Sequence, residues 1–126
     1  MTFLEAVARE EGFYAHGTRP QRNNNPGDIE WHPVGVAARN GATHGDPRFA
    51  VFPTEQAGFA AMRALFNTAE YCTLNVEQAL NRWAPPIENQ TNRYIANVCE
   101  WTGCKPTDKV ITLLELPSFS SKPTTK

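Results

Sequence analysis

Residues 2–12 read TFLEAVAREEG, and this stretch predicts the first helix of the chain. Thr2 and Glu5 have the spacing of a capping box, in which the side chain of each residue accepts a hydrogen bond from the backbone of the other. Gly12 is the residue type that most readily takes the left-handed conformation with which many helices end. We therefore predict a helix over residues 3–11, and the rest of the fold must cover its apolar face.

Glu11 is the acidic residue whose position in this helix needs a physical explanation. Leu4 and Val7 mark the apolar face, and Glu11 continues their helical spacing while Glu10 lies nearer the edge. Burial and the negative end of the helix dipole both raise the pKa of a carboxyl group. An acid that stays protonated near neutral pH is what cleavage of a glycosidic bond requires. The spacing leaves an alternative open, in which the short helix frays and Glu11 turns into solvent.

The composition is that of one ordinary globular domain. The chain has 126 residues, 40% of them hydrophobic and 20% charged, with a formal net charge of -1. Without an excess of either charge, we expect neither nucleic acid nor a membrane surface as partner. We predict a single domain over residues 1–116, followed by a disordered tail over residues 117–126, because the tail is rich in Ser, Pro, Lys and Thr and has little to bury.

The N-terminal residues and the cysteines bear on the compartment. The start of the chain lacks a basic segment followed by an apolar stretch, which predicts synthesis in the cytoplasm without a signal peptide. Cys72, Cys99 and Cys104 are odd in number, which favours free thiols over a disulfide framework. A substrate outside the membrane would then require another route of delivery.

The remainder of the chain changes from turn signals to helical patterns. Residues 13–53 contain turn signals such as Asn40-Gly41 and predict a small antiparallel sheet or hairpin. Helices are predicted to begin after Thr54 and after Asn75, each a good capping residue. Two further helices are predicted over residues 91–102, with Gly103 as terminator, and over about residues 107–115.

Several segments together resemble a known family. They are Glu11-Gly12-Phe13, Arg22-Asn23-Asn24-Asn25-Pro26-Gly27-Asp28-Ile29, Phe49-Ala50-Val51-Phe52, Ala57-Gly58-Phe59, and Trp83-Ala84-Pro85-Pro86-Ile87-Glu88-Asn89-Gln90-Thr91 followed by Tyr94-Ile95. In order and spacing they resemble phage and prophage peptidoglycan-degrading proteins that are related to soluble lytic transglycosylases and goose-type lysozymes. The resemblance covers about residues 3–104. Those larger enzymes carry a Gly-Leu-Met-Gln segment that this chain lacks.

The resemblance implies a fold, a site and a substrate. The fold would be α+β and lysozyme-like, mainly helical, with a small antiparallel β element after the first helix. Glu11 matches the catalytic glutamate, and the turn that contains Asp28 would face it across a sugar-binding cleft. The implied substrate-binding residues are Asn24, Asn25, Asn89 and Tyr94. The partner would be the glycan strands of bacterial peptidoglycan, cleaved at the β-1,4 bond between N-acetylmuramic acid and N-acetylglucosamine by a monomer without cofactor or metal.

The reaction type stays open at this point. A hydrolase needs a second carboxylate, and Asp28 is the best placed candidate, although it is equally a turn residue that bonds its own backbone. A lytic transglycosylase needs one glutamate, because the C6 hydroxyl of the substrate attacks and leaves a 1,6-anhydro product. Either enzyme would reach the cell wall through the phage lysis machinery or as part of a virion.

Three rival functions have to be weighed. A zinc amidase would need ligands, and the candidates His16, His32 and His44 fit no short ligand motif. A non-catalytic cell-wall-binding or virion structural module on the same fold would not need an acid at position 11. Chitin in place of peptidoglycan would use the same acid chemistry, so only the products separate the two substrates.

Overall fold

The computed structural model describes residues 1–117, which form an α+β fold with a small antiparallel sheet. The elements in chain order are α1 (Phe3–Glu10), α2 (Arg19–Arg22), α3 (Val36–Arg39), β1 (His44–Gly45), β2 (Ala50–Val51), α4 (Glu55–Phe66), α5 (Val76–Trp83), α6 (Thr91–Thr102) and a 3₁₀ turn (Val110–Leu113). The predicted disordered tail lies outside the described residues apart from Pro117.

The first helix has the capping box that the sequence predicts. The Thr2 hydroxyl accepts from the Glu5 backbone N–H at 3.1 Å, and the Glu5 carboxylate accepts from the Thr2 N–H at 2.9 Å. Gly12 has a φ of 89°, so it takes the left-handed conformation expected of a terminator. The helix ends at Glu10, one residue earlier than predicted, and leaves Glu11 at the C-cap.

The region between α1 and α4 is less regular than the turn signals predict. The predicted hairpin is present, but each of its strands has two residues, paired His44 to Val51 and Gly45 to Ala50. Two one-turn helices, α2 and α3, were not predicted, because four residues are too few to show a helical period. Turns and side-chain hydrogen bonds therefore hold most of this region.

The later helices begin and end largely at the predicted residues. The Thr54 hydroxyl accepts from Ala57 N at 3.1 Å, and Asn75 with Gln78 forms a second capping box. Gly103 ends α6 with a φ of 80°. The helix predicted over about residues 107–115 is wrong, since only the 3₁₀ turn forms there. Its segment instead bonds back to the start of α5, with Asp108 O accepting from the Val76 N–H at 2.9 Å.

The core lies between α1, α4, α5 and α6. The Phe66 ring stacks on Trp83 at 4.3 Å between centroids, and the Phe3 ring meets Phe66 edge-on at 5.2 Å. All three cysteines are free thiols, as predicted, with 3.5 Å between the sulfur atoms of Cys99 and Cys104. No helix within residues 1–117 is both long and apolar enough to cross a membrane.

Candidate active site

Glu11 lies where the end of α1 meets α6. The hydroxyl of Tyr94 on α6 donates to Glu11 Oε2 at 2.7 Å. Burial is the main cause that raises the pKa of Glu11, and the negative charges of Asp28 and Glu10 raise it further. Hydrogen bonds from Tyr94 and Trp83 act in the opposite direction. The net result is that the pKa of Glu11 is raised, so this carboxyl group keeps its proton at a higher pH than an ordinary glutamate does.

Tyr94 is the partner that fixes this acid. Its side chain is buried, with 7% of the residue exposed. Burial, followed by the charge of Glu11, raises the pKa of Tyr94 well above its ordinary value. The phenol therefore stays a hydrogen-bond donor throughout the physiological range. The resemblance suggested Tyr94 as a substrate-binding residue, and the structure shows that it contacts the candidate acid.

Glu10 differs from its neighbour although both contact α6. Its Oε1 atom accepts from Asn97 Nδ2 at 2.7 Å, and the residue is half-buried. Glu10 is thus bonded to an amide, whereas Glu11 is bonded to a phenol. The helical spacing predicts only that Glu10 lies nearer the edge of the apolar face than Glu11.

Asn25 holds the turn on the other side of the site. It is fully buried, and its Oδ1 atom accepts from the Ile29 backbone N–H at 2.9 Å. Its Nδ2 group donates to the backbone oxygens of Ile29 and Ala50, at 2.9 Å each. Because these bonds use the whole amide group, the expectation that Asn25 contacts the substrate is wrong. Asn25 supports the turn from inside.

Asn24 stands in the same turn with a φ of 51°. Its side-chain amide donates to the Phe52 backbone oxygen at 3.1 Å. Its own carbonyl oxygen lies against α4, where a Cβ added to Gly58 would come within 2.2 Å of it. The glycine thus permits the helix to approach the turn closely. Substrate binding by Asn24 stays a prediction.

Asp28 ends this turn and is held by Arg19. The guanidinium donates through Nε to Oδ1 at 3.0 Å and through Nη2 to Oδ2 at 2.5 Å. The Asp28 side chain is 11% exposed, and Arg19 lies 3.6 Å above the centre of the Phe49 ring. Sequence reasoning missed Arg19. Its only signals were Thr18 and Pro20, which mark the start of a helix too short to recognise.

Two cavities meet at Glu11 and Asp28, and together they form what we call the cleft. One of about 200 Å³ is lined by Glu11, Gly27, Asp28, Ile29, Glu30, Leu65, Tyr71 and Trp83. The other, of about 440 Å³, is lined by Glu10, Glu11, Arg19, Asp28, Asn89, Gln90, Arg93 and Tyr94. Glu11, Asp28, Asn89 and Tyr94 thus line one cavity, and their roles at a substrate stay predictions. Sequence reasoning missed Trp83, whose spacing from Ala79 and Leu80 would have assigned it to the buried face of α5.

Metal-ligating residues do not gather in the part of the chain that the structure describes. No group of three or more His, Cys, Asp or Glu side chains there could hold a metal ion. His16, His32 and His44 are each exposed. His32 lies 3.8 Å from Glu30, measured from Nε2 to Oε1.

No protein-family model matches the chain. The chain is similar to a bacteriophage protein. This relative, Protein P5 of Pseudoalteromonas phage PM2, is 34% identical over 96 residues, which are 73% of this chain and 60% of the relative. The chain therefore spans less than two thirds of the length of Protein P5. The similarity supplies a link to bacteriophages.

Proposed function

We propose that this protein cleaves the β-1,4 bond between N-acetylmuramic acid and N-acetylglucosamine in peptidoglycan, on a lysozyme-like fold, with Glu11 as the acid. Glu11 is a carboxyl group of raised pKa in a cleft that has an aromatic side chain, Trp83, in its lining. Such a group can protonate the leaving oxygen of a glycosidic bond at neutral pH. The phage link agrees with action on the cell wall, after release through the phage lysis machinery or as part of a virion.

The observation that carries this proposal is the state of the acidic residues along the cleft. Asp28 is bound by Arg19, and Glu30, 45% exposed, is bound by Arg48 Nη2 at 2.7 Å. Glu10 accepts from Asn97. Among the cleft carboxylates of residues 1–117, Glu11 is thus the one bonded neither to a cation nor to an amide.

One available acid favours a lytic transglycosylase over a hydrolase. A hydrolase uses a second carboxylate to activate water or to attack the sugar, and a guanidinium bonded to both oxygens must be displaced before either oxygen can contact water or the sugar. Both carboxylate oxygens of Asp28 are bonded to Arg19 in this way. In a lytic transglycosylase the second carboxylate is not needed, because the nucleophile belongs to the substrate.

The reaction can then be written around Glu11 alone. Its proton goes to the glycosidic oxygen as the bond from that oxygen to C1 of the muramic acid breaks. The C6 hydroxyl of the same sugar attacks C1, and its proton returns to Glu11, so the acid is restored. The Tyr94 hydroxyl stabilises the carboxylate that exists between these two transfers. The product is a 1,6-anhydro sugar, and no water is consumed.

Digestion of purified peptidoglycan followed by mass spectrometry tests this proposal. The expected products are muropeptides with 1,6-anhydro ends. Glu11→Gln should lower their release by about a thousandfold, since general acid catalysis contributes on the order of 10² to 10⁴ to a rate. Glu10→Gln is the matched control, because Glu10 borders the same cavity and its carboxylate is bonded to the Asn97 amide. It should keep most of the activity.

Each other outcome of the digestion points to a different function. Reducing ends would keep Glu11 as the acid and overturn the transglycosylase reaction. Unchanged release by Glu11→Gln would refute Glu11 as the acid. Cleaved peptides in place of cleaved glycan would return the amidase to consideration. Binding to peptidoglycan without any release by the wild-type protein would identify a non-catalytic module.

A further inference from the structure

Arg93 lies in the first turn of α6, between the cleft and a further cavity. The cleft cavity of about 440 Å³ contains Arg93 together with Glu11. The further cavity, of about 470 Å³, is lined by Pro86, Asn89, Gln90, Thr91, Asn92 and Arg93. Since Asn89, Gln90 and Arg93 line both, a group attached to a sugar at Glu11 can pass over Arg93 into the second space.

The charge of Arg93 is uncompensated, unlike that of the other arginines near the cleft. Arg19 is bound to Asp28 and Arg48 to Glu30. Among residues 1–117, the Arg93 side chain has no hydrogen-bond or ion-pair partner, and it is exposed. The neighbouring Glu10 is turned to Asn97 and Glu11 to Tyr94. Arg93 is therefore an unpaired guanidinium in the lining of the cavity that also contains Glu11.

We propose that Arg93 is a specificity-determining residue that binds a carboxylate on the muramic acid side of the glycan. This inference rests on the proposed function and names the substrate feature that the site selects. Muramic acid differs from N-acetylglucosamine by a lactyl group, which carries a carboxylate or continues into a peptide that carries carboxylates. A guanidinium pairs with a carboxylate through two parallel hydrogen bonds. Chitin has no carboxylate, so Arg93 favours peptidoglycan over chitin.

Calorimetric binding to the Glu11→Gln protein tests this role without cleavage of the ligand. Three probes are used: glycan oligomers freed of peptide by an amidase, which expose the lactyl carboxylate; the same oligomers with their peptides; and neutral chitotetraose. Arg93→Gln should weaken binding of a carboxylate-bearing probe about tenfold and leave chitotetraose unchanged, with tenfold corresponding to about 1.4 kcal/mol. The probe that loses affinity identifies the lactyl or the peptide carboxylate.

Two controls separate charge pairing from a general defect. Arg82→Gln removes the same charge from α5, where Arg82 pairs with Glu70 and borders neither cavity, so it should leave all three affinities unchanged. Salt tests the unsubstituted site: raising the NaCl concentration from 0.05 to about 0.5 M should weaken binding of the carboxylate probes and spare chitotetraose. This second measurement stands even if Arg93→Gln fails to fold.

The outcomes distinguish this inference from the proposed function. Equal losses on all three probes, no loss on any, or an affinity for carboxylate probes that salt does not change would overturn the role of Arg93. A wild-type protein that binds in an Arg93-dependent way but cleaves nothing would overturn the proposed function and leave the inference intact. Cleavage with equal kcat/KM for chitin and peptidoglycan, both before and after Arg93→Gln, would overturn the role of Arg93 and leave the proposed function intact.

Discussion

The two sides of the cleft are held by different means. The helical wall, formed by α1 and α6, rests on a dry apolar interface in which Leu4, Val7 and Val98 are fully buried. The turn wall, residues 23–28, contains the fully buried amide of Asn25 and touches α4 through Gly58. Apolar packing tolerates small adjustments, whereas a buried hydrogen-bonding group left without a partner carries a full desolvation cost. The turn wall should therefore be the more easily damaged by single substitutions.

Asn25→Ala should produce the largest loss of stability. It removes three hydrogen bonds and takes the Asn25 partner from the Ile29 N–H and from the Ala50 carbonyl oxygen in the interior, while the Ile29 carbonyl oxygen keeps its bond from the Ala50 N–H. At about 1 to 3 kcal/mol for each buried group left unsatisfied, we expect a loss of about 3 kcal/mol in the free energy of unfolding. Urea denaturation measures it. Asn81→Ala, which removes one bond to the Glu77 carbonyl oxygen, is the control on a helix and should change stability by less than about 0.5 kcal/mol. Equal effects would show that the buried hydrogen bonds of Asn25 contribute no more to stability than one exposed bond on a helix.

Gly58→Ala should produce the second-largest loss of stability, and the sign of its effect on stability is informative. In an unobstructed helix this change stabilises by up to about 1 kcal/mol. Here the new Cβ would lie 2.2 Å from Asn24 O and 2.5 Å from the Cδ atom of Pro26, so the turn must move. We expect a net loss of about 2 kcal/mol, as is typical of overpacking.

Thermal unfolding of Gly58→Ala, compared with that of Ala60→Gly, separates the gain in helix propensity from the loss caused by overpacking against the turn. Ala60 lies on the same helix and is half-buried, so its change to glycine measures helix propensity together with the loss of one partly buried methyl group. If Gly58→Ala raised the melting temperature, the close approach of α4 to the turn would not exist in solution.

Tyr94→Phe should give the smallest effect, confined to the helical wall and visible in the pH profile. The Tyr94 hydroxyl stabilises the charged form of Glu11, so its removal raises the pKa of Glu11 further. The acid must be protonated at the start of the reaction, and activity therefore falls as the pH rises through that pKa. We expect the alkaline limb of kcat/KM to move upward by less than about one pH unit.

Tyr71→Phe is the matched control for this shift. Tyr71 also borders the cleft, and burial raises its pKa to about 12, but its ring packs on Phe66 and Trp83. Its removal should leave the alkaline limb in place. A downward shift with Tyr94→Phe would contradict the assignment of Glu11 as the titrating acid.

The same contrast explains what could be predicted from the sequence. The capping pairs Thr2 with Glu5 and Asn75 with Gln78 lie three residues apart, so a local pattern reveals them. Glu11 was singled out because helical spacing assigned it to the apolar face. Its bond to Tyr94 spans 83 positions, and no local pattern encodes such a contact.

The turn wall was predicted less well, for a physical reason. An asparagine can bind a sugar or a backbone equally well, and the choice depends on whether a distant backbone covers it. Asn25 is covered by Ala50, 25 residues away, which the composition of the turn does not reveal. The ion pair between Arg19 and Asp28 depends in the same way on the path of the chain between them.

Because Glu10 and Glu11 bond to residues of α6, the proposed site forms only when the chain has folded completely. As the chain is synthesised, α1 emerges long before Tyr94 and Asn97, which lie 83 and 87 residues later. Until α6 packs against α1, Glu11 is an ordinary solvated glutamate that loses its proton well below neutral pH. A partial opening that detaches α6 would therefore abolish the proposed activity while leaving most of the helical content, and circular dichroism would report little change.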